Sequence, residues 1–185
     1  VIIGVGHAAQ VGKDSFGAAC VKYHGFKRLA FADALKDLVY DTDRGVRHIV
    51  DRIGWEAAKA AYPLRVRQGL VDVGLAARKH LGADVWLNAV AQQIDHDDPA
   101  IDYVITDVRY PNELAWILNA GGIAVKINRP GYGALDDVAD RALADTVAWS
   151  VEIDNAGTLD DLAIEAGSIV ASIRISKGLD AYSKG

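Results

Sequence analysis

The first fifteen residues, VIIGVGHAAQVGKDS, constrain the fold more than any other stretch of the chain. A short apolar run, Val1 to Val5, leads into a loop ending Gly12-Lys13 and then into an amphipathic stretch. Phe16, Ala19, Cys20 and Tyr23 recur at i, i+3, i+4 and i+7, the spacing of one helix face. Strand, glycine-containing turn and helix in this order make a cradle for phosphates, because free N–H groups and the helix dipole both point at the anion. The full pattern is Gly, four residues, Gly-Lys, then Ser or Thr. Gly12 and Lys13 satisfy it, whereas His7 stands at the first Gly, Asp14 stands at the hydroxyl position, and Ser15 comes one residue late. The backbone of residues 8 to 14, including Ala9, Gln10, Val11 and Gly12, is the expected cradle, with the Lys13 ammonium beside the terminal phosphates. Asp14 is either a hard oxygen ligand for Mg²⁺, with Ser15 on a phosphate, or a helix-capping carboxylate favoured by the dipole. His7 reads as a loop residue rather than a ligand.

The remaining chain fits a single α/β domain. Its 185 residues suffice for a sizeable core. A net charge of -5 argues against binding a nucleic-acid polymer, which needs many phosphates neutralised, but allows a small phosphorylated ligand held by local cations. The lone Cys20 lies on an apolar helix side, reads as core, and suits a reducing compartment. No apolar run approaches the roughly 20 residues of a membrane span, and no basic, Ser-rich or signal-like leader is visible. A cytoplasmic location is therefore expected. The chain has no Met, so a residue or more is expected ahead of Val1.

Further along, residues 27 to 31 read as a second short strand and the stretch from Asp33 to about Ile94 as mostly helical. Pro63 breaks that stretch, and Gly82 with Asp84 marks a helix stop and a new N-cap. Ile101 to Thr106 reads as the next strand, followed by a helix from Pro111 with an apolar stripe at Leu114, Ile117 and Leu118, ended by Gly121 and Gly122. Ile123 to Ile127 and Ala148 to Ile153 complete the strands, separated by a Pro-, Gly- and Asp-rich segment with lid character, 128 to 147. Thr158 and Asp161 form a capping-box start for a last helix carried by Leu159, Leu162, Ala166, Ile169 and Ile173. The polar tail from Ser176 is expected to be disordered. Alternating strands and helices imply a parallel sheet covered on both faces.

Chemistry is expected where parallel strands end. Asp107 follows an apolar strand directly and could hold Mg²⁺-bound water, receive a hydroxyl proton, or cap a helix; Arg109 offers a fork suited to a phosphate. Asp33 and Lys36 lie one helical turn apart, the spacing of an ordinary ion pair. The acidic run Asp95 to Asp98 reads as a solvated loop. Arg65, Arg67 and Arg78 are basic positions in the helical stretch, and Trp55 and Trp86 are either core or base-stacking aromatics.

Six segments occur in a fixed order: GKDS (Gly12 to Ser15), FADALK (Phe31 to Lys36), GLAARKHLGADVW (Gly74 to Trp86), DVRYPNE (Asp107 to Glu113), the GG-strand-RPG stretch (Gly121 to Gly131) and DNAGTLDDL (Asp154 to Leu162). Together they resemble the deoxynucleoside monophosphate kinases of tailed bacteriophages, relatives of dephospho-coenzyme A kinase. Three positions depart from that resemblance: His7 replaces a Gly, Asp137-Val138-Ala139-Asp140 replaces a His-x-Ser-acid motif, and Val71 stands where a Gln is common.

The resemblance implies a P-loop, nucleoside-monophosphate-kinase-like, three-layer α/β fold with a parallel sheet of about five strands. Its core would comprise 1–32, 99–127 and 148–175, with a helical substrate-binding insertion at 33–98 and a lid at 128–147. It implies transfer of the γ-phosphoryl group of ATP to a deoxynucleoside monophosphate. Lys13 would contact the β- and γ-phosphates, Asp14 and Ser15 would lie at Mg²⁺, and Arg129, Asn155 and Gly157 would border the ATP. Asp33, Lys36, Arg67, Arg78, Asp107 and Arg109 are the acceptor-side candidates, and Arg141 would close over the transferring group. The implied partners are small nucleotides, with no nucleic-acid polymer and no membrane; a homodimer in the cytoplasm, the host's if phage-encoded, also follows. Two alternatives stay open: a dephospho-coenzyme A kinase-like or other small-molecule P-loop kinase, and a non-catalytic nucleotide-binding module. Asp107-Val108-Arg109 argues against the module.

Overall fold

The apolar run at the start of the chain becomes β1 (Ile2–Gly6), the central strand of a five-stranded sheet. The computed structural model describes residues 1–6, 8–133, 141–143 and 148–183. By contact the chain divides into two compact units, Val1–Ala30 with Ala100–Gly185, and Phe31–Pro99.

In the first unit β2 (Lys27–Leu29), β3 (Tyr103–Val108), β4 (Ile123–Asn128) and β5 (Val151–Asp154) join β1 in the order β2-β3-β1-β4-β5, every pair parallel. A parallel sheet buried on both faces needs apolar strands, and these supply them. Ile3, Val5, Val104, Val125 and Ile127 are wholly buried in one cluster with α1 (Lys13–His24) and α7 (Leu159–Ser183). Phe16, which enters that cluster from α1, is also fully buried, a burial worth about 1.5–3 kcal/mol. The alternate residue Gly4 faces α6 (Pro111–Asn119), where a side chain would collide with Ile117. Helices therefore cover both faces of the sheet.

Several element boundaries differ from those expected. β3 extends to Val108, so Asp107 lies inside the strand rather than after it, held by pairing of Gly6 with Val108. β5 begins at Val151, not Ala148. On α1, Phe16, Gly17, Ala19 and Cys20 are buried, but Tyr23 is 58% exposed, with the Lys22 ammonium 4.7 Å from its ring centroid. On α7, Leu162, Ala166 and Ile169 are buried, whereas Leu159 opens the helix at 72% exposure. The segment from Ser176 to Ser183 continues α7 instead of forming a disordered tail; each residue added to an existing helix gains a hydrogen bond without a new nucleation cost. The Thr158–Asp161 capping box forms as expected, Asp161 accepting from the Thr158 N–H and hydroxyl and donating its own N–H to Thr158 Oγ1.

The second unit is helical: α2 (Phe31–Thr42), α3 (Arg44–Ala61), a π-helical turn (Pro63–Arg67), α4 (Gln68–Leu81) and α5 (Val85–His96). Pro63 opens the π turn, Gly82 terminates α4, and Asp84 takes the N-cap position of α5. Asp95 and His96 belong to the last turn of α5 and Asp97 is its C-cap, so half of the acidic run is helix rather than loop. Val39, Val46, Val50, Ala58, Val66 and Leu70 form the core of this unit, with Trp55 packed against it. Trp86 is buried and its Nε1 donates to the Gly74 carbonyl, which makes it a core residue.

Asp43 caps α3 by accepting from the N–H groups of Gly45 (2.9 Å) and Val46 (3.0 Å) and from Arg65 Nη2 (2.6 Å). The Val46 N–H, supported by the Arg65 charge and the Gly45 N–H, holds the Asp43 carboxyl below its ordinary pKa. Asp43→Ala should lower stability by about 1 kcal/mol in urea unfolding. Because the folded pKa lies below the unfolded one, this contribution is present above the ordinary carboxylate range and is lost as pH falls through the folded value. Wild type and variant should therefore converge in acid, and parallel stabilities down to pH 2 would contradict the cap.

Candidate functional site

The loop between β1 and α1 is shaped by two residues of left-handed backbone. Gln10 has φ 61°, a conformation that costs a non-glycine residue roughly 1–2 kcal/mol. Gly12 has φ 110° and is the N-cap of α1, and a Cβ there would lie 2.6 Å from Asn155 Nδ2. Both the dihedral and the space require glycine. Lys13, 9% exposed, turns its ammonium back to donate to the Ala8 carbonyl and so closes the loop on itself. The first N–H groups of α1 have no carbonyl one turn earlier and face the loop. His7, where the pattern expects a glycine, lies outside the described residues.

Asp14 and Ser15 are both exposed in the first turn of α1. Their oxygens are the hard donors that Mg²⁺ takes when it also keeps water and phosphate oxygens. Among the described residues no three His, Cys, Asp or Glu side chains gather as a protein-only metal cage. The donor set thus fits a phosphate-associated Mg²⁺ better than a structural ion. Cys20, on the buried side of α1, has its thiol pushed up to about 11 by burial, which leaves it protonated and inert at neutral pH.

Register places the neighbours of the loop. Gly6, the last residue of β1, pairs with Val108 on one side and Lys126 on the other. Asp107 and Arg109 therefore flank the loop at the end of β3, about one strand spacing (~4.8 Å) from β1. The turn that carries Arg109 is held by Glu113, 1% exposed, whose Oε2 accepts from the N–H groups of Arg109 (2.9 Å) and Tyr110 (3.1 Å). A side chain at Gly6 would meet both the Trp149 ring and the Val108 carbonyl, so the strand end is closely packed.

The chain leaves β1 toward β2 and leaves β4 toward β5, in opposite directions along the sheet. The crevice between such strands is where open parallel sheets bind ligands. A cleft of about 320 Å³ lies there, lined by Ala8 and Val11 of the loop, Asn128 at the end of β4, Arg129 and Tyr132 after it, and Asp154 at the end of β5. The Arg129 guanidinium stands 4.4 Å from the centroid of the Tyr132 ring, and Gly133 packs against Ala8 and Val11. A stacked guanidinium and phenol beside this loop can accept a flat aromatic group on one face.

Of the expected donor-side residues, Ala9 to Gly12 form the loop, Lys13 to Ser15 open α1, and Arg129 lines the cleft. Asn155 underlies the loop, its Nδ2 donating to the Val11 carbonyl. Gly157 sits against the Asp161 carboxylate of the capping box and does not line the cleft. Arg141 is exposed; 134–140 and 144–147 on either side of it, including Asp137 to Asp140, lie outside the described residues. The acceptor-side candidates divide between the units. Asp107 and Arg109 belong to the sheet unit, and Asp33, Lys36, Arg67 and Arg78 to the helical one.

Within the helical unit Lys36 Nζ pairs with Asp33 Oδ1 at 3.3 Å, and Arg78 Nη1 donates to the Ala83 carbonyl at 2.6 Å. Arg67 and Arg78 are three helical turns apart and so share one side of the π turn and α4. Arg65 belongs to the α3 cap instead. Tyr132 and Asp154 were not singled out by sequence; a Tyr directly after RPG was the only signal for the first.

No protein-family model matches the chain, and no curated protein matches it. Among solved structures, the chain is similar to an unliganded sugar kinase from Janibacter sp., with a TM-score of 0.46, 13% sequence identity, and coverage of 89% of this chain and 91% of that one. At that overlap the likeness does not bear on substrate or chemistry.

Replacing Glu113 tests the turn that presents Arg109. Glu113→Ala removes this acceptor from two N–H groups at a half-buried turn and should cost about 2 kcal/mol in denaturant unfolding. A change below about 0.5 kcal/mol would show that the turn is held otherwise.

Proposed function

We propose that the chain is an ATP- and Mg²⁺-dependent kinase that transfers the γ-phosphoryl group to a deoxynucleoside monophosphate. The observation that carries the proposal is the loop after β1: Gly12 in a left-handed turn, Lys13 at the first position of α1, and a cleft beside it at the crevice between β1 and β4. The ordered segments shared with the phage deoxynucleotide kinases support the choice of acceptor class.

In this account the ATP phosphates lie on the first N–H groups of α1, and its base enters the cleft against Arg129 and Tyr132. Lys13 exchanges its contact with the Ala8 carbonyl for the β- and γ-phosphates, a stronger partner because both groups are charged. Asp14 and Ser15 supply protein oxygens for Mg²⁺, whose charge offsets that on the phosphoryl oxygens. Asp107 and Arg109, at the neighbouring strand end, orient the acceptor: the guanidinium matches a phosphate bidentately, and the carboxylate can take the proton of the attacking oxygen. The acceptor roles that the resemblance gives to Asp33, Lys36, Arg67 and Arg78 belong to the helical unit and rest on the sequence alone, and Arg141 covers the transferring group. Positioning and charge neutralisation supply most of the rate, as phosphoryl transfer asks little covalent chemistry of a protein.

Lys13→Ala should reduce ADP formation from ATP and a mixture of deoxynucleoside monophosphates by on the order of 10²–10³-fold. Circular dichroism should show the fold retained. Turnover within a few-fold of wild type would remove the loop from the reaction.

A further inference from the structure

We infer that Asn155 is a positioning residue that ties the phosphate loop to the floor of the adjoining cleft and fixes the spacing between the two. Its side chain reaches back 144 residues in sequence, Nδ2 donating to the Val11 carbonyl at 2.8 Å in a buried contact. Its backbone N–H donates at 2.7 Å to the carbonyl of Asn128, the last residue of β4. Asn155 itself follows the last residue of β5 and is 9% exposed. One residue thus joins the loop to the ends of two strands.

The residues that it joins line one cavity. Val11, Asn128 and Asp154 all border the 320 Å³ cleft, and the same Nδ2 lies 2.6 Å from the place a Gly12 side chain would occupy. The tether sits under the strained part of the loop, between the left-handed Gln10 and the first turn of α1. Without the carboxamide donor the Val11 carbonyl is left buried and unpaired, and the loop can relax away from the cleft.

The consequence for a ligand rests on the donor-nucleotide reading above. A nucleotide that spans cleft and loop is bound best when both halves are already at the right spacing, because ordering the loop then costs nothing at the moment of binding. Asn155 provides that preorganisation without touching the ligand through its carboxamide.

Amide hydrogen exchange of the unliganded protein tests the tether directly. In Asn155→Ala and Asn155→Asp, exchange at residues 9 to 13 should rise on the order of tenfold over wild type, the equivalent of one lost buried hydrogen bond. Strands β1 and β3 should keep their protection. An equal rise in loop and strands, or none in the loop, overturns the inference. In wild type the Asn155 side-chain amide protons should show nuclear Overhauser contacts to Val11 and Gly12; their absence overturns it even if neither variant folds.

With ATP, the variants should raise KM by about tenfold and by more than they lower kcat, and saturating ATP should restore loop protection. A kcat loss larger than the KM rise would make Asn155 something other than a positioning residue. If wild type neither binds ATP nor releases ADP, the kinase proposal fails, and the loop-exchange comparison in unliganded protein still decides the tether.

Discussion

The sheet unit is organised around a single constraint: β1 must end between β3 and β4 and turn at once into α1. Pairing of Gly6 with both Val108 and Lys126 sets the height at which the chain leaves the sheet. The left-handed Gly12 then reverses it into the helix. Neither glycine has room for a side chain, one facing Trp149 and the other Asn155. Asp107 and Arg109 flank this point on one side, and the Arg129–Tyr132 stack forms a wall on the other. Moving the exit of β1 by one residue would invert its two faces, burying what now faces α6 among the side chains of α1 and α7.

The loop that results is closed on itself. Lys13, nearly buried, donates its ammonium to the Ala8 carbonyl. An anion is a stronger partner for the same ammonium, since full opposite charges then attract. The strain at Gln10, the buried cation and the tether from Asn155 all converge on the same few residues. The first two cost stability, and the tether offsets part of that cost by pairing the buried Val11 carbonyl.

Much of this architecture could be read in the amino acids, and the parts that could not share a physical cause. Local signals succeeded: the apolar run into β1, the break at Pro63, the stop at Gly82 and the Thr158–Asp161 box are each specified by neighbouring residues. Periodicity alone misplaced Tyr23 and Leu159, because a residue at the end of a helix can fit the apolar repeat and still project past the core. The extent of β3 was set by its pairing with β1, so Asp107 came to lie inside the strand. Long-range contacts left almost no trace. Asn155 stood out in the sequence only through its DNAG segment, and nothing there points to a carbonyl 144 residues away. Likewise, the stack of Arg129 on Tyr132 needs the turn Gly131 provides, which composition registers only as a flexible stretch.

The central claim is that this loop serves phosphoryl transfer to a deoxynucleotide. Its most direct test is the initial rate of ADP release from ATP and Mg²⁺ with each of the four deoxynucleoside monophosphates, with dephospho-coenzyme A, and with no acceptor. The account predicts acceptor-dependent release with at least one deoxynucleoside monophosphate, faster than with dephospho-coenzyme A. Release that is fastest with dephospho-coenzyme A would contradict the acceptor class. Tight ATP binding with no acceptor-dependent release would contradict the kinase itself.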